Sequence, residues 1–155
     1  MKEVAILLLV ALLLNGCSST TPSVQTTAGG TWQAEMAGGS SSASGFSFIT
    51  VFSVGGDGSL SISYFQFLNS NSGQCLPSGG TESGSMILTV SSNDTVTGTF
   101  SYLVQSSGNT LTLNGAVTGT ATNGITLSGT SITGTWTLTG SSACTAIGTF
   151  TMNQS

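Results

Sequence analysis

Three cysteines, five carboxylates and eleven aromatic side chains are the residues of this chain equipped for chemistry, and histidine is absent. Without an imidazole there is no Ser-His-Asp or Cys-His nucleophile arrangement and no histidine metal ligand. The only basic side chain is Lys2. Nucleic-acid binding needs Lys and Arg to neutralise phosphates, so it is excluded, as are a phosphate clamp and a polybasic membrane patch. Beyond Glu3, the acids are Glu35, Asp57, Glu82 and Asp94. A carboxylate pair can serve glycoside hydrolysis. Here Asp57 and Asp94 sit in turn-forming sequence, where Asp is favoured for local hydrogen bonding. Glu82 lies in a Gly/Ser stretch read as loop. Glu35 faces opposite to Trp32, Ala34 and Met36, hence toward solvent. No paired, tuned acid and base emerges, so neither catalysis nor a cofactor is expected.

Cys75 and Cys144 both fall in loop-like sequence. In an oxidising compartment they read as a disulfide. The alternative, a reactive thiol pair, lacks a basic neighbour to lower a pKa. Trp32, Tyr64, Phe100, Tyr102 and Trp136 fit either core packing or the lining of a ligand pocket. For a pocket, Trp32, Tyr64 and Trp136 are the candidate ligand-binding residues.

The elements that must position these groups are strands. The chain has 155 residues, enough for one domain with a core. Charged residues are 4% of it, against about 25% in ordinary soluble proteins. From Gly30 onward the apolar pattern has period two, with Thr and Ser filling the alternate positions. Thr suits a wet strand face because its branched Cβ favours extended backbone. The pattern predicts strands at 31–36, 46–54, 59–68, 86–91, 96–104, 110–117, 124–128, 131–138 and 148–152. Turn chemistry at 55–58, 92–94, 107–109 and 123–124 separates them. Eight or nine short strands in simple succession predict an all-β, antiparallel up-and-down barrel of about eight strands. An immunoglobulin-like sandwich is the alternative. Gly98, Gly115, Gly134 and Gly148 on the apolar face favour the barrel, because they let strands bend or pack closely. A transmembrane barrel is disfavoured, since its outer face must be continuously apolar.

Ahead of the domain, Val4 to Leu14 form an apolar run too short to span a bilayer, which needs about 20 residues. It fits the core of a signal peptide. Leu14-Asn15-Gly16-Cys17 resembles the lipobox of bacterial lipoproteins, with Asn15 in place of the usual Ala or Ser. The resemblance implies a diacylglyceryl group on the Cys17 sulfur and cleavage before it. A plain secretory signal with an incidental cysteine is the other reading. Two acyl chains anchor stably where one binds marginally. The expected division is a signal peptide at 1–16, a lipidated cysteine and polar tether at 17–29, and one β domain at 30–155. Ser18, where an inner-membrane retention signal would carry Asp, implies the outer membrane in a diderm host. The partner implied throughout is the membrane, through the N-terminal lipid.

Gly30-Thr31-Trp32 resembles the Gly-x-Trp strand that opens the calycin barrels, the lipocalins and avidins. The likeness is closest to the streptavidin-like members and runs from Gly30 to Tyr64, through the hairpin Gly56-Asp57-Gly58. It implies a barrel. Ala34 replaces the ligand-bonding Asn of the biotin binders, so only Tyr64 matches their polar site, which argues against biotin. The Arg that caps the first-strand Trp in lipocalins is absent. Two functions remain open. One is a structural or surface-interaction role in the cell envelope, for which the partner would be another envelope protein. The other is a binding module holding a small apolar or sugar-like ligand.

Overall fold

Side chains alternating between apolar and hydroxyl can bury one face only as extended strands, and eight such strands form here. The structure is a computed structural model that describes residues 23–38, 46–68, 75–77 and 80–155. The expected signal peptide and Cys17 lie outside the described residues. The strands are β1 (Gly30–Gly38), β2 (Ser47–Val54), β3 (Leu60–Phe67), β4 (Thr81–Val90), β5 (Thr95–Ser106), β6 (Asn109–Thr122), β7 (Thr126–Thr139) and β8 (Ala146–Gln154). Every paired neighbour is antiparallel, in the order β3-β2-β1-β8-β7-β6-β5-β4. Pairing of β1 with β8 joins the two ends of the meander. The remaining seam, β3 to β4, is closed by the Ser59–Ser85 bridge and by Met86 N–H donating to Gly58 O at 2.8 Å. The result is a nearly closed up-and-down barrel of a single sheet, not a two-sheet sandwich.

Nine expected strands become eight because of a β-bulge. Thr118 pairs with Ser131 and Thr120 with Ser128, which leaves one extra residue on β7. Gly129 takes it up at φ +59, a left-handed conformation that glycine adopts without strain. The apolar parity flips there, from Leu127 to Ile132, so the sequence reads as two strands where one is bent. A second bulge lies on β3: Val51 pairs with Tyr64 and Phe52 with Ile62, leaving Ser63 extra. Strand β4 also starts five residues before the expected 86, and Glu82 therefore stands on a strand rather than in a loop.

The polar stretch expected as tether up to residue 29 ends sooner. Residues Val24–Thr27 form one helical turn, α1, docked on the barrel end where β1 begins. Val24 is buried with Val96 and Ala121, and Ala28 is fully buried in the main core. Gln25 presents its amide to the free edge of β4: Leu88 N–H donates to Oε1 at 2.9 Å, and Nε2 donates to Met86 O. One side chain thus supplies the donor and acceptor that a neighbouring strand would have supplied.

The interior is set by glycine opposite aromatics. In one layer the register runs Met86, Phe100, Gly115, Gly134, Phe150, Met36 across six strands. The Phe100 and Phe150 rings meet with centroids 6.4 Å apart over the two glycines between them. A Cβ on Gly134 would lie 2.1 Å from Asn114 O and 2.5 Å from Gly115 Cα, both backbone atoms that cannot move away cheaply. Overpacking of this kind costs about 1–3 kcal/mol and occasionally more. Gly134→Ala is expected to lower the unfolding free energy by about 3 kcal/mol in urea titration. Gly56→Ala, at a site with open space around its would-be Cβ, should leave the midpoint nearly unchanged.

Candidate functional site

Inward residues from all eight strands meet in one core that includes Trp32, Phe48, Tyr102, Leu113, Trp136 and Phe150. Both indoles point into this core and are fully buried. They do not meet. Trp32 pairs with Gln154 at one end of β1, whereas Trp136 lies opposite Gly148, which pairs with Gly38 at the other end. Positions 32 and 38 are about 20 Å apart along the strand at ~3.3 Å per residue. Each indole N–H has a backbone acceptor of its own: Trp32 Nε1 donates to Ala28 O at 3.2 Å and Trp136 Nε1 to Ala37 O at 3.1 Å. The Trp32 ring stacks on Phe52, and the Trp136 ring meets Phe46 edge-on.

Tyr64, the third candidate, is turned outward and 47% exposed. The Ser63 bulge is the cause. Leu60 and Ile62 face in before it, Phe65 and Phe67 after it, and Tyr64 falls on the outer parity. Its hydroxyl donates to Gln66 on the outer face. The expected grouping of Trp32, Tyr64 and Trp136 around one ligand therefore does not form, and the polar match to the avidins is lost with it.

The interior hydroxyl pair is one that the sequence did not single out. Thr50 Oγ1 donates to Tyr64 O at 3.1 Å, next to the bulge, and lies 2.9 Å from Tyr102 Oη. Since Thr50 gives its one proton to a carbonyl, Tyr102 is the donor in the second bond. Burial raises the Tyr102 phenol well above its ordinary pKa, against the lowering effect of the Thr50 bond. The Glu82 carboxylate, half-buried on the inward parity of β4, adds to the rise. Thr50 carries no motif. Its signal was a hydroxyl at an even, inward position between Phe48 and Phe52.

Of the remaining acids, Glu35 is exposed on the outer face of β1, as its parity required. Asp57 holds the β2–β3 turn. Its Oδ1 accepts from Ser59 Oγ at 2.7 Å and from Ser59 N–H at 3.0 Å, and these bonds lower its pKa. Among the described residues no group of three His, Cys, Asp or Glu side chains is placed to hold a metal ion. No helix among them is long and apolar enough to cross a membrane.

Cys75 and Cys144 form a disulfide, with Cα atoms 5.5 Å apart. It sits at the barrel end opposite α1 and is buried. Asn109, at the β5–β6 turn, fastens both sides of it: Nδ2 donates to Cys75 O at 2.6 Å, and Oδ1 accepts from Ser141 N–H at 3.1 Å. Ser106 Oγ donates to Pro77 O at 2.7 Å. The turn sequence around 107 hinted at a bend but gave no sign of this clamp.

At the α1 end a shallow depression of about 450 Å³ lies between the β7 bulge and the end of β8, lined by Ser128, Gly129, Thr130 and Asn153 among others. Thr130 is buried, and its Oγ1 has no hydrogen-bond partner among the described residues. That hydroxyl packs toward Gly119, at the position a Cβ there would crowd.

The class these observations define is an eight-stranded up-and-down barrel with a filled interior. Comparison with protein-family models, curated proteins and solved structures finds no match.

Two outcomes follow for the buried hydroxyls. Removing an unsatisfied buried hydroxyl relieves its desolvation, so Thr130→Val is expected to raise stability by about 1 kcal/mol in thermal or urea unfolding. Because the folded state holds Tyr102 neutral, its contribution is intact below the ordinary phenol value of about 10 and is lost as pH rises above it. In a Tyr64→Phe chain, where Tyr102 is the only tyrosine, phenolate absorbance should appear together with loss of near-ultraviolet dichroism. Ionisation well before unfolding would contradict the buried assignment.

Proposed function

We propose that this chain is a lipid-anchored protein of the bacterial cell envelope with a structural or surface-interaction role and no catalysis. The observation that carries the reading is an interior filled by its own side chains, with the indoles and the Thr50–Tyr102 pair bonded within the protein. With their bonds made inside the core, the indole N–H groups and these two hydroxyls are not left waiting for a ligand. Anchoring rests on the lipobox-like Leu14-Asn15-Gly16-Cys17, and Ser18 favours the outer membrane.

The outer wall supports a role in contact. From residue 95 to 155 the sequence holds no Asp, Glu, Lys or Arg. The outer faces of β5 to β8 are instead hydroxyl rows, such as Thr97–Thr118–Ser131 and Thr99–Ala116–Thr133–Thr151. Neutral hydroxyls hydrogen-bond an uncharged partner without long-range steering, so such contacts would be insensitive to salt.

The second reading, a calycin-type binding module for an apolar or sugar-like ligand, draws on the β3–β4 seam. There Glu82, Phe65 and Phe67 are only half-buried on the inward faces of strands joined by one bridge among the described residues.

Native mass spectrometry on the chain extracted from membranes separates the readings. The expected mass begins at Cys17, carries a diacylglyceryl group, lies two hydrogens below the reduced value and has no releasable adduct. An unlipidated chain would overturn the anchor. A reproducible small adduct, lost on mild activation, would overturn the filled barrel in favour of the binding module.

A further inference from the structure

We infer that the α1 end of the barrel is its membrane-facing surface, and that the disulfide-bonded end is held away from the lipid. The inference rests on the proposed lipidation of Cys17 and adds to it an orientation. Its partner is the lipid surface itself.

The first observation is that α1 is fastened to the barrel end. Val24 and Ala28 are buried, the Gln25 amide occupies the β4 edge, Thr27 Oγ1 donates to Ile125 O at 2.5 Å, and Ala28 O accepts from the Trp32 indole. These contacts reach β1, β4 and the β6–β7 turn, so this segment moves only as the barrel moves. The covalent path from Cys17 to Ser23 is six residues, at most about 22 Å when fully extended. A tether running to residue 29 would have had twice that reach.

The second observation is the height of the wall. From Thr110, near the disulfide end, to Thr122, near the α1 end, β6 runs twelve positions. At ~3.3 Å per residue and a tilt near 40°, that is roughly 30 Å along the barrel axis. The reach of the linker is shorter than the wall is tall. An inverted barrel, with the disulfide end on the lipid, would need its α1 end tethered across a gap the linker cannot span.

At the membrane-facing end lie α1 and the turns carrying Asp57, Asp94 and Ile125. At the far end lie the Ser107–Gly108 turn, the Cys75–Cys144 bridge and its Asn109 clamp. The far end is therefore what the protein presents outward, and the hydroxyl wall stands upright between the two.

The test uses the lipidated full chain, extracted from membranes and reconstituted in phosphatidylcholine vesicles that carry a headgroup acceptor. With Cys17 acylated and Cys75 bonded to Cys144, a single introduced thiol takes a donor dye. Thr126→Cys places it at the α1 end and Gln105→Cys at the far end, both exposed on the outer wall. With an energy-transfer pair of range shorter than the barrel height, the Thr126 label should transfer several-fold more efficiently than the Gln105 label. Inserting a spacer of about 15 Gly/Ser residues after Ser18 should erase the difference. Equal, strong transfer from both labels would mean that the barrel lies on its side, and would overturn the orientation. Greater transfer from Gln105 would overturn it as well. A chain that fails to float with the vesicles would overturn the anchoring reading itself, which separates the two failures.

Discussion

An eight-stranded barrel has an interior just wide enough for its own side chains, and that constraint governs this sequence. The chain spends its aromatic residues inward, Tyr64 excepted, and rings of that size fit only where facing positions are emptied. Gly115 and Gly134, paired across β6 and β7, let Phe100 and Phe150 meet over them. Gly148 does the same for Trp136, whose Nε1 would lie 2.6 Å from a Cβ at that position. Large residues opposite none at all, layer by layer, keep the core dense without widening the wall. The two bulges serve the same end. They bend β3 and β7 so that the sheet can curl until its edges approach, and the side-chain parity changes at each bend.

Closure remains incomplete along the β3–β4 seam, and polar side chains finish what the ladder does not. Gln25 stands in for a strand at Met86 and Leu88, and Thr50 donates to the Tyr64 carbonyl beside the Ser63 bulge. Asn109 does equivalent work at the other end, bonding the backbone of both loops that the disulfide joins. Each is an uncharged side chain used for a backbone partner. In a chain with so few ionisable groups, amides and hydroxyls take over roles that ion pairs fill elsewhere, with no charge to desolvate.

The barrel was legible because period two, turn residues and inward glycines all point the same way. The disulfide was legible from loop context and the oxidising compartment expected for the chain. What the sequence concealed was parity across bulges. In Leu60-Ser61-Ile62-Ser63-Tyr64 the apolar set stays on even positions, so Tyr64 reads as inward and nothing marks Ser63 as the extra residue that sends it outward. The same ambiguity split β7 in two. The helical turn at Val24–Thr27 is too short for any helical period to show, and two apolar residues among Thr and Gln look like tether. Both misreadings have one origin: a tertiary contact decides a local choice that propensity leaves nearly balanced.

Function on this scaffold is confined by how completely the inside is used. The indole N–H groups and the Thr50 and Tyr102 hydroxyls spend their bonds within the fold, which is why the proposed role looks to the wall and the ends. The wall is not uniform. Glu35, Asp57, Glu82 and Asp94 all lie on β1 to β4 or in the turns that border them, and β5 to β8, adjacent around the barrel, carry no charge. Of these only Glu35 stands on the outer wall, since Glu82 faces inward and Asp57 and Asp94 lie in turns at the α1 end, while β5 to β8 present mainly Thr and Ser. Uncharged strands set no electrostatic barrier to an approaching neutral surface. The proposed contact role therefore looks to the side of the molecule rather than to its core, where the calycin resemblance alone would have sought a ligand.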